Sequence, residues 1–248
     1  MPRRPPPPLD HARAALFADL DGTLAPIRPT PGDVGPDGER ARLLADLSEA
    51  LGGALAVVSG RGLEDIDRIL ERRVAAVAAV HGLVRRTAGG ALIRAPAADL
   101  PAPVRDAVAA FLAAHPDLTS EDKGVAVSLH FRAAPRLADA CNAFVARLAA
   151  ANGVGVQRGE MVVELRAPGP SKADSVTAFM AEQPFAGRLP VFVGDDLTDE
   201  DGFAGAERLG GYGVIVGARR PTRAAFALDD VSAALAWLAT GLSPPRKA

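Results

Sequence analysis

The run Ala14-Ala15-Leu16-Phe17-Ala18 holds no polar residue and stops at Asp19-Leu20-Asp21-Gly22-Thr23. An apolar run of strand length with no polar interruption predicts a strand buried on both faces, the habit of a parallel sheet covered by helices. Few folds bury a strand in this way, so this stretch narrows the architecture more than any other. In open α/β sheets ligands bind beyond the carboxyl ends of the strands, where Asp19 and Asp21 would lie. Two carboxylates held close in a partly dry crevice repel each other unless a cation or a shared proton offsets the charge. A calcium loop can also begin D-x-D-G, but its twelfth position, where a bidentate acid is needed, falls on Thr30.

The same grammar recurs along the chain. Leu43, Leu44, Leu47 and Leu51 predict an amphipathic helix over Pro36 to Leu51, and Ala54 to Val58 reads as a second buried strand. Ser59-Gly60-Arg61-Gly62 and a helix from Leu63 to Glu71 follow it directly. Val77 to Val80 is a third strand ending at His81-Gly82, where His81 reads as a structural hydrogen-bond partner. Leu83 to Arg94 reads as a hairpin turning at Ala88-Gly89-Gly90. Past Pro168 the pattern resumes, with a helix from Ser171 to Glu182, strands at Pro190 to Gly194 and Gly213 to Val216, and a closing helix from Asp229 to Thr240.

Between these halves the character changes. A helix from Val104 to His115 precedes Val125 to Arg132, where apolar and polar residues alternate with period two. A second helix, Pro135 to Asn152, leads to strands at Val154 to Gln157 and Met161 to Arg166 around Arg158-Gly159-Glu160. The alternation predicts a half-exposed strand in a sheet with one open face, on which Ser128, His130 and Arg132 would meet solvent. The expected fold is therefore α/β. A doubly wound parallel-sheet core over 14–95 and 168–248 is interrupted by a smaller α+β unit over 96–167, and a Pro-rich tail covers 1–13.

Composition narrows the function. Apolar residues make up 48% and charged ones 23%, ordinary for a globular protein, and the formal net charge is −2. That balance offers no electrostatic case for nucleic acid or an anionic membrane as partner. No run approaches bilayer length, no secretory segment forms, and the single cysteine, Cys141, excludes an internal disulfide. The expectation is a cytoplasmic protein. Among the cations arginine dominates, and only Lys123, Lys172 and Lys247 are lysine, so an internal lysine points to a task for a compact ammonium.

Four polar clusters sit where predicted strands or helices begin or end. Asp19 and Asp21 form the first. Ser59, Gly60 and Arg61 offer a hydroxyl and free backbone N–H groups at a helix start, a place for an anion or simply a helix cap. Lys172 stands in the first turn of a helix, unfavourable for a cation unless an anion is near. Asp195-Asp196-Leu197-Thr198-Asp199-Glu200-Asp201 packs five acids into seven residues. As a plain loop it would repel itself, and a few hard oxygen ligands suit Mg²⁺. Together these supply what phosphoryl transfer needs: an anion cradle, a cation, a nucleophile and a proton carrier. No G-x-S-x-G, Walker A or zinc spacing offers a competing chemistry.

The order DxDGT, a strand ending in Ser, a helix-borne Lys and GDDxxDE resembles the haloacid dehalogenase superfamily of phosphatases, with the insertion placed like a cap. FADLDGTL, VVSGR, Glu121-Asp122-Lys123-Gly124, Val163-Glu164-Leu165-Arg166 and VGDDLTDED are similar, within it, to the trehalose-6-phosphate phosphatases. The resemblance implies an enzyme in which Asp19 is the nucleophile and Asp21 the general acid and base. It implies Mg²⁺ held by Asp19, the backbone carbonyl of Asp21 and Asp195, with Asp196 and Asp199 in support. Ser59, Gly60, Arg61 and Lys172 would meet the phosphate end of the substrate, and Glu121, Lys123 and Glu164 the sugar hydroxyls. In one departure, Lys172 is followed by Ala173-Asp174 where many members carry Gly. The implied partner is a small sugar phosphate, and a trehalose-phosphate synthase stands open as a protein partner. Sucrose phosphate, mannosyl phosphoglycerate or a phosphosugar mutase reaction remain alternatives, as does a non-catalytic module that binds a sugar phosphate.

Overall fold

In a computed structural model, described for residues 4–95, 99–159, 161–217 and 220–242, the strands with no polar residue lie in the middle of the larger sheet. The chain opens with β1 (Ala14–Ala18), α1 (Gly38–Ala50), β2 (Leu55–Val58), α2 (Leu63–Ile69) and β3 (Ala76–Ala79). A hairpin of β4 (Val84–Arg86) and β5 (Leu92–Arg94) follows. Next come α3 (Ala102–Ala114), β6 (Thr119–Asp122), β7 (Ala126–His130), α4 (Ala138–Asn152), β8 (Gly155–Gly159) and β9 (Val162–Arg166). The chain ends with α5 (Lys172–Met180), β10 (Leu189–Gly194), α6 (Asp199–Arg208), β11 (Tyr212–Val216), β12 (Phe226–Leu228) and α7 (Val231–Leu238). The connector start expected at 96, the turn residue Glu160 and Lys247 lie outside the described residues.

The larger sheet has the order β12-β11-β10-β1-β2-β3-β4-β5, parallel from β12 to β3 and antiparallel in β4 and β5. Winding proceeds outward from β1 in one direction through β2 and β3, and in the other through β10, β11 and β12. Right-handed crossovers in opposite directions put helices on opposite faces. The contacts of α1 with α7 and of α5 with α6 mark those two layers. The point where the winding reverses, between β1 and β10, is the crevice expected to receive a ligand.

Local chemistry sets the helix starts. Asp37 caps α1 by accepting from the backbone N–H of Glu39 and Arg40, both at 3.0 Å. Ser171 and Asp174 cap α5 reciprocally, at 2.9 Å and 3.3 Å. Asp199, Glu200 and Asp201 occupy the first turn of α6, where the helix dipole favours negative charge. The acidic stretch expected to be a loop is therefore half helix, and the dipole offsets part of its self-repulsion. The alternating pattern also left β6 and β12 unread, one because Thr119-Ser120-Glu121-Asp122 is polar throughout, the other because it has three residues.

The smaller sheet, β6-β7-β9-β8, is antiparallel throughout. Val127, Leu129, Val163 and Leu165 point from it into a separate apolar cluster with Val104, Val108, Cys141 and Val145 of α3 and α4. Its other face turns toward the larger sheet. The open face expected here is closed, and Ser128 is 1% exposed and Glu164 4%. Period-two alternation reports that two faces differ in polarity; it does not say whether water or another lobe covers the polar one.

The Pro-rich tail packs down over the described part of its length. Trp237 Nε1 donates to the carbonyl of Pro7 at 2.8 Å, and the Arg4 guanidinium lies 5.2 Å from the centre of the Phe226 ring. A buried indole N–H needs such an acceptor. Among the described residues no helix is long and apolar enough to cross a membrane.

Below the larger sheet Phe179 of α5 packs 6.1 Å from Phe17 and 5.2 Å from Phe185, ring centre to ring centre, and carries Arg85 at 4.9 Å on its face. Phe179→Ala removes a fully buried ring that supports α5 and, through it, Lys172. It is expected to cost about 3–5 kcal/mol, read as a lower urea midpoint with unchanged slope. A loss below about 1 kcal/mol contradicts this packing account.

Candidate active site

Asp19 is the first residue past β1, and its backbone N–H donates to the carbonyl of Val193 in β10 at 2.9 Å. That pairing carries Asp19 to the end of β10, where Asp195 and Asp196 begin. Gly22 makes the intervening turn with φ of 78°, and a Cβ there would lie 2.0 Å from Asp195 Oδ2. The glycine is thus required twice, by the left-handed backbone and by the carboxylate packed against it.

Lys172 reaches this point from the start of α5. It is 2% exposed, and its Nζ donates to Asp19 Oδ1 at 2.8 Å and to Asp199 Oδ1 at 2.6 Å. The unfavourable helix position of this cation is resolved by the two carboxylates. Burial opposes its charge, but Asp19 and then Asp199 outweigh burial and hold the ammonium well above its ordinary value. Asp199 Oδ2 accepts from the backbone N–H of Asp195 at 3.0 Å and of Asp196 at 3.1 Å, so both its oxygens are occupied. Ala173, where the departure from the family pattern falls, packs with its Cα 2.9 Å from where a Cβ on Gly205 would be, a close seam between α5 and α6.

One oxygen each of Asp19, Asp195 and Asp199 lie within 4.8 Å of one another. Three carboxylates around one ammonium leave a surplus of two negative charges. Burial, then Asp19 and Asp199, pushes the Asp195 carboxyl up to about 9. Burial also raises Asp19, against the opposing pull of Lys172. Asp195 Oδ1 is buried with no hydrogen-bond partner. A hard divalent cation fits this donor set: it would cancel the surplus and fill the orphaned oxygen. With Asp199 occupied, Asp19 and Asp195 are the side chains left to hold it. Asp196 Oδ1 accepts from the backbone N–H of Leu197 at 2.6 Å and lines the same cavity.

Ser59 follows β2 and is buried against the cavity, its Oγ accepting from the Arg61 N–H at 3.2 Å. It does not cap α2, whose cap position is Gly62. Arg61 grips Asp21 with two bonds, Nε to Oδ2 at 2.6 Å and Nη2 to Oδ1 at 2.8 Å. It also donates to Asp65 and to the carbonyl of Pro31. Burial works against this cation, but the bonds to Asp21, followed by Asp65, raise it above its ordinary value. The guanidinium expected beside the substrate lines the cavity and is bonded to both oxygens of Asp21.

Above lies the polar face of the smaller sheet. Glu121, Ser128, Glu164 and Gln157 are direct register neighbours across its four strands and form one row. Glu164 Oε2 accepts from Lys123 Nζ at 2.5 Å and from Ser128 Oγ at 2.6 Å. Burial disfavours its charge, yet the groups around it, Lys123 foremost and Ser128 among them, together hold the carboxyl below its usual range. Glu121, 3.8 Å from Lys123 Nζ, is pushed up by burial. Between this row and the carboxylates is a cavity of about 260 Å³ lined by both lobes. One water needs only roughly 10–15 Å³, so the space is that of a bound ligand. Asp19, Asp21, Ser59, Gly60, Arg61, Glu121, Lys123, Glu164, Lys172, Asp195 and Asp196 all line it, and Asp199 stands behind Lys172.

The sequence reading gave His81 a structural role and Ser128, His130 and Arg132 a solvent-facing one, and all four line the same cavity. Burial drives the imidazoles of His81 and His130 down, to about 3 and about 4, so both are neutral at ordinary pH. The signal for Ser128 was its place opposite Glu164, which depends on register. For His81 it was position alone, at the carboxyl end of a parallel strand.

A family model described as Trehalose-phosphatase matches residues 17–232. The trehalose-6-phosphate phosphatase of Escherichia coli (strain K12) is 39% identical over 230 residues, covering 92% of this chain and 86% of that protein. A probable trehalose-phosphate phosphatase of Sinorhizobium fredii is 38% identical over 234 residues, 90% of this chain and 88% of that one. A solved trehalose-6-phosphate phosphatase related protein superposes with a TM-score of 0.76 at 26% identity, over 90% of this chain and 94% of its own. Carrying both the buried acid–lysine centre and a family match along nearly its whole length, the chain belongs to the trehalose-phosphatase family, whose members are phosphoric monoester hydrolases.

Proposed function

We propose that this protein hydrolyses trehalose 6-phosphate to trehalose and inorganic phosphate through a phosphorylated Asp19. One observation carries the reading: Asp19, Lys172 and Asp195 converge at the floor of a single cavity whose roof is the polar row around Glu164. A carboxylate centre matched to a phosphate thus faces a hydrogen-bonding surface matched to sugar hydroxyls.

In the first half-reaction an Asp19 carboxylate oxygen forms a bond to phosphorus, and the bond from phosphorus to the sugar oxygen breaks. The leaving oxygen takes a proton from Asp21. In the second half, water gives a proton to Asp21 and attacks phosphorus, and the Asp19–phosphorus bond breaks to release phosphate and regenerate the carboxylate. Both Asp21 oxygens accept from Arg61, so a proton enters Asp21 as one of those bonds is given up. Arg61 is the positioning residue for this exchange. Lys172 and Ser59 hold the phosphoryl oxygens, Lys172 also screening Asp19 as the two negative groups approach. Asp19, Asp195 and the Asp21 backbone carbonyl are the groups to hold Mg²⁺, with Asp196 and Asp199 in support. That ion, when bound, supplies positive charge to offset the phosphoryl oxygens. Glu121, Lys123 and Glu164 meet the sugar, and water is excluded where the smaller lobe covers the carboxylates.

Two measurements test this. Phosphate release from trehalose 6-phosphate is expected to stop on chelation and to return with Mg²⁺. Asp19→Asn is expected to lower kcat by about a thousandfold or more in a protein of unchanged circular dichroism. Turnover that survives either treatment removes the mechanism, and equal turnover of small monosaccharide phosphates removes the disaccharide as substrate.

A second prediction comes from the Asp195 proton. Its folded value is raised to about 9 from an ordinary 3.8, so its contribution to the stability of the metal-free protein is full below the unfolded value and is lost as pH rises through about 9. His81 and His130, depressed to about 3 and about 4, are neutral in both states over this alkaline window and add no slope. A cation must displace that proton. The rise in Tm on adding Mg²⁺ is therefore expected to grow between about pH 7 and pH 9, measured by scanning fluorimetry against a chelated control. Asp19, raised to about 7, adds to the same trend at the lower end of the window, and a Mg²⁺ increment that is flat or falls with pH contradicts the raised carboxyls of this centre.

A further inference from the structure

We infer that His81 and Glu164 together seat one hydroxyl of the sugar, which makes His81 a specificity residue contributed by the phosphate-binding lobe. The inference rests on the sugar-phosphate reading above and extends it to a residue outside the acid, lysine and cap set. His81 Nε2 lies 3.8 Å from Glu164 Oε1, too far for a hydrogen bond. A single oxygen at ordinary bonding distance from each atom, about 2.8 Å, fits between them. Glu164 needs such a partner. Its Oε2 already accepts from Lys123 and Ser128, whereas Oε1 is buried with no partner in a side chain 4% exposed. A buried carboxylate oxygen left unbonded is costly, and a hydroxyl is the group that donates to it while accepting from a second donor. With its proton on Nε2, His81 is that donor.

The backbone holds the imidazole in place against strain. Val80 and His81 both have positive φ, 48° and 56°, and a β-branched residue in that region is a true outlier. Two bonds to the phosphate-end loop fix the pair: Val80 N–H to the carbonyl of Arg61 at 3.0 Å, and His81 N–H to that of Ser59 at 2.9 Å. The ring rests on Gly60, where a Cβ would stand 2.6 Å from Nε2. The glycine of Ser59-Gly60-Arg61 is thus needed to admit His81. Burial keeps the ring neutral, as a hydroxyl reader beside Lys123 and Lys172 should be.

The test compares two substrates with Mg²⁺ present: trehalose 6-phosphate, and p-nitrophenyl phosphate, which has no sugar hydroxyl. His81→Asn, an exchange that suits positive φ, is expected to lower kcat/KM on the sugar phosphate by about 10- to 100-fold. The loss should fall mainly in KM, with turnover of p-nitrophenyl phosphate within about twofold of wild type. His81→Gln, which keeps a donor nitrogen, should lie between. Unchanged selectivity in both variants overturns the contact, as does an equal loss on both substrates, which marks a structural role. Should the variants not fold, wild-type protein labelled with ¹⁵N-histidine is titrated with trehalose. A shift of the Nε2 resonance assigned to His81 supports the contact, and a His81 resonance that does not move overturns it. A wild-type enzyme that takes p-nitrophenyl phosphate as readily as any sugar phosphate overturns the sugar reading itself, and the contact with it.

Discussion

One ammonium between two carboxylates fixes the rest of the site. Lys172, fully enclosed, ties Asp19 at the end of β1 to Asp199 at the start of α6. Asp199 in turn holds the backbone of Asp195 and Asp196. A buried charge left unpaired would be strongly destabilising, so each partner depends on the others, and the ends of three separate elements are drawn into one point. The same arrangement leaves the centre short of positive charge. Asp195 carries the deficit, and the orphaned oxygen it presents is where a divalent ion fits.

The smaller lobe uses different physics. Its sheet has an apolar face that builds its own cluster with α3 and α4, and a polar face turned toward the cavity, with Ser128 and Glu164 buried. On that face Lys123 and Ser128 satisfy one oxygen of Glu164, and the other is buried without a partner. A hydrogen-bonding surface enclosed in this way strengthens each contact it makes and penalises a ligand that leaves it unmatched. On the proposed reading, affinity for the sugar is set in this lobe and chemistry in the other. Arg61, His81 and their loop stand where the two meet.

The structure also explains two residues whose identity looked incidental. Ala173 lies against Gly205 across the seam of α5 and α6, so the small side chain sits on the helix pair that positions Lys172. Gly60 lies in the turn Ser59-Gly60-Arg61, and the place of its missing side chain is occupied by the His81 ring. In each case the constraint comes from a residue distant in sequence.

Local order was legible wherever it depended on neighbours in the chain. The unbroken apolar runs gave the buried strands, the helical spacing of leucines gave α1, and the acids after β1 and β10 marked the ligand crevice, because burial on both faces and strand polarity are written into short segments. Period-two alternation likewise identified β7 as a strand with two unlike faces. Which acid Arg61 grips was settled by the pairing of β1 with β2 inside the larger lobe. What covers the polar face, and how near His81 comes to Glu164, were settled only when the lobes came together. Each depends on distances between residues far apart in the chain. The sequence by itself determined which groups are available; tertiary structure decided which of them share a low-dielectric space, and there a few ångströms separate a paired charge from an orphaned one.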